Sequence, residues 1–330
     1  MAYTIGMFFR FRLSCLAALA ALSGAVVAQE AGLGEYRAVS GVSGTLSATG
    51  SDTVANLTTL WAEEFRRVYP NVNIQIQATG SSAAPTALTE TTASIGLMSR
   101  VMRRAEIASF TARYGYPPTP VPVALDALAI LVHRDNPLPD ISRGEIDAVF
   151  SATLRCGAAA RVENWRELGL SEHWAGRRVS AFGRNSASGT YGFFKEAALC
   201  RGDFHAGVGE LSGSGALVHA IGSTLDGIGY SSIAFRTPSV RIVPVRWRRD
   251  GIDYSALPAE ATSGAYPFTR QLYFYVNQPP GGALPPLEGE FIRMVLSRGG
   301  QQIVSRSGYV PLSAALAAES LAAAQGRGRQ

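Results

Sequence analysis

The chain has 330 residues, 47% hydrophobic and 17% charged, with a formal net charge of +5. Its hydrophobic content is enough to fill two cores, and a chain of this length makes one large domain or two ordinary ones. The positive excess is almost wholly Arg, since Lys195 is the only lysine; it suits an anionic ligand but is too small and scattered for nucleic acid.

Residues 1–28 read as a signal peptide. Arg10 and Arg12 form a basic start, Leu13 to Val27 an apolar run too short to span a bilayer, and Ala28 ends a small-residue cleavage site. Cys15 lies at the front of the apolar run, a poor place for lipid attachment. The mature chain is expected to start near Gln29, in the periplasm or outside the cell, with no stable membrane insertion after signal removal. Its two cysteines, Cys156 and Cys200, are an even pair in an oxidising compartment and read as a disulfide.

Residues 29–44 are rich in Gly, Ser and Ala without periodicity and read as a loose leader. From Thr45 the pattern becomes α/β. A short strand, Thr45 to Ala48, runs into Thr49-Gly50-Ser51-Asp52-Thr53, and the next helix carries Leu57, Leu60, Trp61, Phe65 and Val68 at helical spacing. Val72, Ile74 and Ile76 alternate with polar residues as a strand, followed by Thr79-Gly80-Ser81-Ser82 and a helix opened by Pro85. Ile95 to Met98 is a further strand, ending at Ser99-Arg100, and Glu106 to Tyr114 a helix.

Val121 to Val132 is the longest apolar stretch of the mature chain, and Ser142 to Ala148 a helix with acidic first turns. Val179 to Phe182 reads as a strand that empties into Gly183-Arg184-Asn185-Ser186-Ala187-Ser188-Gly189-Thr190 and then a helix from Tyr191. Ser212-Gly213-Ser214-Gly215 precedes a helix over Ala216 to Ile221. Arg241, Arg246, Arg248 and Arg249 around Trp247 read as a solvated edge strand. Leu272 to Val276 is a strand, Phe291 to Leu296 a helix, Gly308 to Leu312 a turn, and 313–325 a final Ala-rich helix before a basic tail.

Short strands thus deliver Gly/Ser/Thr loops to helix starts, where backbone N–H groups lack intrahelical partners and the dipole is positive. Ser188, Gly189 and Thr190 add hydroxyls and close approach, and Arg184 a charged fork of donors; together they suit a tetrahedral oxyanion. The plainer alternative makes Ser188 or Thr190 only an N-cap, worth roughly 1 kcal/mol. In open α/β sheets such loops gather beyond the carboxyl ends of the strands, which favours one convergent site.

Gly50-Ser51-Asp52-Thr53, Gly80-Ser81-Ser82, Ile95-Gly96-Leu97-Met98-Ser99-Arg100, Arg184-x-x-x-Ser188-Gly189-Thr190 and Gly227-Ile228-Gly229-Tyr230 occur in an order that resembles the periplasmic phosphate-binding proteins of ABC importers. Tyr266-Pro267 before Leu272-Tyr273, and Gly308-Tyr309-Val310-Pro311-Leu312, extend the resemblance from about Thr45 to Leu312. It implies a two-lobed type II periplasmic binding protein fold, α/β, with two strands crossing between lobes near Val121 to Val132 and Phe268 to Val276. Residues 45–125 plus 270–312 would form lobe one, 126–269 lobe two, and 313–330 a C-terminal helix and tail. It further implies a monomer that holds inorganic phosphate and meets ABC permease subunits, with no cofactor and no nucleic acid.

By the same resemblance the ligand set comprises Ser51, Asp52 and Thr53, then Gly80, Ser81 and Ser82, then Ser99 and Arg100, then Arg184, Ser188, Gly189 and Thr190. Many relatives carry a carboxylate after the strand ending at Met98, where it accepts the proton of hydrogen phosphate; here Ser99-Arg100 stands instead. Asp52 is the substitute acceptor, or else it caps the following helix from outside the cleft.

Three rivals remain at the level of sequence. An enzyme would need a nucleophile elbow, zinc motif or phosphate-loop lysine, none of which is present, and the four histidines show no metal spacing. A secreted adhesion protein could keep the fold and change the role. An importer component for sulfate or molybdate is the third.

Overall fold

The computed structural model describes residues 32–249, 252–256 and 266–327, so the expected signal at 1–28 lies outside the described residues. The chain opens with alternating elements: β1 (Gly44–Gly50), α1 (Asp52–Val68), β2 (Val72–Gln77), α2 (Ala84–Thr89), β3 (Ile95–Met98) and α3 (Arg104–Tyr114). α1 buries Leu57, Trp61 and Phe65 on one face, ends before Pro70, and carries Arg66 and Arg67 in its last turn, where cations favour the dipole. Burial of a side chain like Phe65 contributes roughly 1.5–3 kcal/mol.

The next element, β4 (Thr119–His133), organises the molecule. Thr119 to Ala127 pair antiparallel with β12 (Thr269–Val276), whereas Leu128 to Val132 pair with β8 (Gly227–Ser232) and Ile130 to His133 with β9 (Val240–Val243). A strand covered on both faces reads as a near-continuous apolar run, which is why this stretch is the longest in the sequence. The sheet path is β2-β1-β3-β12-β4-β8-β6-β7, with β6 (Ser180–Arg184) and β7 (Gly209–Leu211). β1, β2 and β3 are mutually parallel, as are β6, β7 and β8, with β4 and β12 antiparallel between the two groups.

Two main cores lie on either side of that crossing. One joins Leu46, Trp61, Phe65, Val121, Val123, Leu272 and Phe274; the other joins Ala127, Leu128, Ile130, Phe150, Phe194, Tyr230 and Phe268. The chain is therefore a two-lobed type II fold in which β4 and β12 cross from lobe to lobe. The second lobe also holds α4 (Arg143–Phe150), α5 (Gly189–Ala197) and α6 (Ser214–Ser223). The first is completed by α7 (Pro286–Val295), α8 (Arg298–Arg306) and α9 (Ala314–Ala324).

Three local expectations change. Residues 32–43 carry no regular element but are docked: Leu33 and Val42 are buried in the first core, and the Tyr36 hydroxyl donates to Glu290 at 2.9 Å. The arginine-rich strand β10 (Val245–Arg249) is not an edge; it lies between β11 (Ile252–Ala256) and β5 (Ile141–Ser142), with Arg246 paired to Asp140 and Glu145. α8 is a helix despite Gly299-Gly300, which propensity disfavours. Ser297 caps it, and Gly300 is required because a Cβ there would lie 2.2 Å from the Met294 carbonyl while its own carbonyl accepts the Trp61 indole.

Cys156 and Cys200 form the disulfide, with Cα atoms 5.4 Å apart and a sequence separation of 44. Closing a loop of that size removes unfolded-state freedom worth about 4 kcal/mol in the chain-entropy model. The Cys156→Ser/Cys200→Ser variant is expected to unfold at lower denaturant with up to that loss. Identical midpoints for the oxidised protein and the variant would refute it.

Candidate functional site

Strands β1, β3 and β6 end at Gly50, Met98 and Arg184, and the residues that follow them meet at the seam between the lobes. Ser51 is the N-cap of α1; its N–H donates to Leu97 O at 2.8 Å, but its side chain makes no capping bond and its buried Oγ has no partner. The first-turn N–H groups of α1 thus receive no side-chain cap, and this polar helix start faces the other lobe.

The second loop is pressed against the third. Gly80 N donates to Gly50 O at 2.8 Å and Ser82 N to Ala187 O at 3.1 Å. Gly80 has φ +100° and a Cβ there would meet Ala187 O at 2.6 Å, so only glycine lets the two backbones come this close. The Ser81 hydroxyl accepts from Ser99 N at 3.1 Å and lies 3.4 Å from the Ser99 hydroxyl, and both serines are buried. Gly189 is packed onto this pair: a Cβ would stand 2.2 Å from Ser81 Oγ and 2.5 Å from Ser99 Oγ.

Ser188 caps α5, accepting from the N–H groups of Thr190 and Tyr191, so the plainer reading holds for its hydroxyl oxygen. Thr190 Oγ1 lies 3.5 Å from Thr53 Oγ1, joining the first turns of α5 and α1. The structure thus gathers Ser51, Asp52, Thr53, Gly80, Ser81, Ser82, Ser99, Arg184, Ser188, Gly189 and Thr190 along one seam.

Three of the expected ligand residues have partners within the chain. Arg184 was to offer its fork to the ligand, but every N–H of the guanidinium is already taken. Nη1 donates to Asp52 Oδ2 at 3.0 Å and Ser214 Oγ at 2.7 Å; Nη2 to Asp52 Oδ1 at 2.9 Å and Ser212 O at 2.7 Å; Nε to Leu211 O at 3.3 Å. Asp52 is not an outward cap. It is the first residue of α1, and its carboxylate reaches across the seam to take both Arg184 bonds and a third from Ser214 N at 2.9 Å. Burial alone would push the Asp52 carboxyl up, but the charge and hydrogen bonds of Arg184 outweigh it and hold the group below its ordinary 3.8. Arg100 turns away into a bidentate pair with Glu106, at 2.8 and 2.7 Å, touching Ser82 Oγ only at 3.4 Å. α3 begins at Arg104, two residues earlier than expected, and its first turn carries Glu106 to Arg100.

Sequence reasoning missed a second buried pair. Arg270 on β12 donates through Nε and Nη2 to Asp126 Oδ2 on β4, at 3.0 and 2.7 Å, and its Nη2 also reaches Thr190 Oγ1 at 3.0 Å. Asp126 Oδ1 accepts from Ser232 at 2.5 Å. The signal was present: Asp126 is the only charge in the apolar run Val121 to Val132, and a lone charge in a buried strand needs a partner. The Ser212-Gly213-Ser214 loop was visible too, without a role. Among the described residues no group of three or more His, Cys, Asp or Glu side chains could hold a metal ion.

Two α/β lobes that share crossing strands and close strand ends and helix starts onto one polar seam define a two-lobed solute-binding protein. The model of the PBP superfamily domain matches residues 36–298. The phosphate-binding protein PstS of Pseudomonas aeruginosa is 50% identical over 309 residues, covering 94% of this chain and 96% of that protein. PstS of Bacillus subtilis is 26% identical over 273 residues, 82% of each chain. A structure from Clostridium perfringens, of a substrate-binding protein assigned to phosphate ABC transport and holding phosphate, aligns with a TM-score of 0.67 at 26% identity, covering 82% of this chain and all of that one. The chain belongs to the PBP superfamily and, within it, to the PstS-like phosphate-binding proteins.

Gly189→Ala is expected to leave the helix intact, since Ala is the better helix former, yet to keep the lobes from meeting. Phosphate affinity measured by calorimetry should fall by roughly 100-fold, and an unchanged affinity would show that the Gly189 contact is dispensable. A lowered folded pKa means that the Asp52 contribution is complete above 3.8 and is lost as pH falls through the lowered value. Below pH 3.8 the melting temperature of the unsubstituted protein should therefore drop more steeply than that of Asp52→Asn; parallel acid limbs would contradict the pairing.

Proposed function

We propose that this protein, after export, captures inorganic phosphate between its lobes and delivers it to the permease of an ABC importer, with no chemical step. The observation that carries the reading is the uncapped start of α1, with the buried unpartnered hydroxyl of Ser51, set against Ser81, Ser99, Gly189 and Thr190 where the lobes meet. A helix start with free N–H groups and hydroxyls around it is an anion site that needs no net charge. The name of the Pseudomonas aeruginosa relative and the phosphate held by the Clostridium perfringens protein support phosphate as the anion. The disulfide suits an oxidising compartment such as the periplasm, and no helix among the described residues is long and apolar enough to cross a membrane.

Hydroxyls both donate and accept. Ser81, Ser99 and Thr190 can therefore take the proton of hydrogen phosphate as well as donate to its other oxygens. Sulfate has no proton to give at neutral pH, but a hydroxyl can turn and donate to it, so these groups by themselves favour neither anion.

Thermal melting of the stripped mature protein with phosphate, sulfate, molybdate and a phosphate ester tests the reading. A ligand at 100 times its dissociation constant stabilises by about 2.7 kcal/mol. A shift with phosphate is expected. A shift confined to sulfate or molybdate would reassign the anion, and no shift at all would favour an adhesion role. Turnover of the ester would point to an enzyme.

A further inference from the structure

We propose that Arg270, not Arg184, is the arginine that contacts the bound anion, an assignment that rests on the phosphate reading above. Both side chains are 2% exposed, yet they differ in what they have left to give. Arg184 spends every N–H on Asp52, Ser214, Ser212 and Leu211. Arg270 spends Nε and Nη2 on Asp126 and Thr190, while its buried Nη1 has no partner. Buried N–H groups are nearly always paired, so an orphaned guanidinium nitrogen needs an acceptor that the chain itself does not supply.

Its position says which acceptor. The Nη2 atom touches Thr190 in the first turn of α5, and Thr190 is the residue that meets Thr53 of α1. The guanidinium therefore stands where the starts of the two helices converge. Because Thr190 Oγ1 accepts from Arg270, its own proton points elsewhere, toward Thr53 or an anion oxygen. The orphaned hydroxyl of Ser51 lies two residues before Thr53 at the same helix start. A tetrahedral oxyanion accepting from Arg270 Nη1, Thr190 and Ser51 satisfies groups that otherwise stay unbonded.

The side chain is also held ready. Asp126 takes two of its N–H groups through one oxygen, Ser232 fixes the other oxygen, and the guanidinium carbon lies 5.5 Å from the centre of the Phe193 ring. Arg270 and Asp126 are register partners on the two crossing strands, so the donor belongs to the joint between the lobes rather than to either moving face. Asp126 and Ser232 are positioning residues; Arg270 is the ligand group.

The test is calorimetric titration of inorganic phosphate into the full mature protein and two variants. Arg270→Gln/Asp126→Asn replaces the ion pair by neutral groups of similar shape that still bond each other, leaving no orphaned charge. It should keep a native circular dichroism spectrum and melting temperature without ligand but lose phosphate affinity by roughly 100-fold or more, since charge-assisted bonds to the anion are lost. A purely structural pair would show wild-type affinity in this variant, which would overturn the assignment. Arg270→Lys retains a charge for Asp126 but not the fork, and an affinity loss of about 10-fold is expected. Should the double variant fail to fold, the lysine variant decides, and unchanged affinity there rejects the proposal. No binding by the unsubstituted protein would overturn the phosphate reading and this assignment together; equal binding by all three overturns this assignment alone.

Discussion

A guanidinium at the end of β6 and a carboxylate at the start of α1 meet across the seam, and the closed arrangement of the lobes depends on that contact. Arg184 is anchored within its own lobe by Leu211, Ser212 and Ser214, so what it presents to the opposite lobe is a fixed pair of donors. Asp52 answers with both oxygens and also takes the N–H of Ser214. Removing two charges from water costs several kcal/mol per ion, so such a pair adds little stability in itself. It tolerates no displacement, because half of it, exposed alone to the interior, is a large penalty. The pair therefore selects one mutual orientation of the lobes.

That orientation is narrow enough to dictate residues elsewhere. Only a residue without a Cβ fits at Gly80 against Ala187 O, or at Gly189 against Ser81 and Ser99. The crossing is constrained too: β12 pairs with Thr119 to Ala127 of β4 where the chain passes between the lobes, with a register irregularity between Leu272 and Tyr273. The two paired strands thus join the lobes, with the polar loops carried at their flanks.

The α/β order and the Gly/Ser/Thr loops were legible because each rests on local pattern: period-2 alternation, helical spacing, and small residues at helix starts; the crossing strands came from the family resemblance alone. What could not be read was the partner of each charge. Arg184, Ser188 and Thr190 look like a self-sufficient anion loop in the sequence, yet Arg184 is consumed by Asp52, 132 positions away. Arg270 and Asp126, 144 positions apart, drew no reading from the sequence, and only the register of β12 on β4 pairs them. α8 was hidden by its glycines, of which Gly300 is needed because a Cβ there would meet the Met294 carbonyl at 2.2 Å. The arginines around Trp247 were read as an edge because strand order is a long-range property.

Each buried arginine near the seam carries its own carboxylate: Arg184 with Asp52, Arg270 with Asp126, Arg100 with Glu106. The binding region therefore has little field to project into solution, and its hold on an anion is exerted at contact distance, by oriented dipoles and by the spare donor proposed for Arg270. Mobile ions screen attraction beyond a Debye length of about 8 Å at physiological ionic strength, but they screen contacts between buried groups much less. Capture by such a surface is insensitive to the salinity of the surroundings, and an ion of the right charge but the wrong shape gains nothing from approaching it.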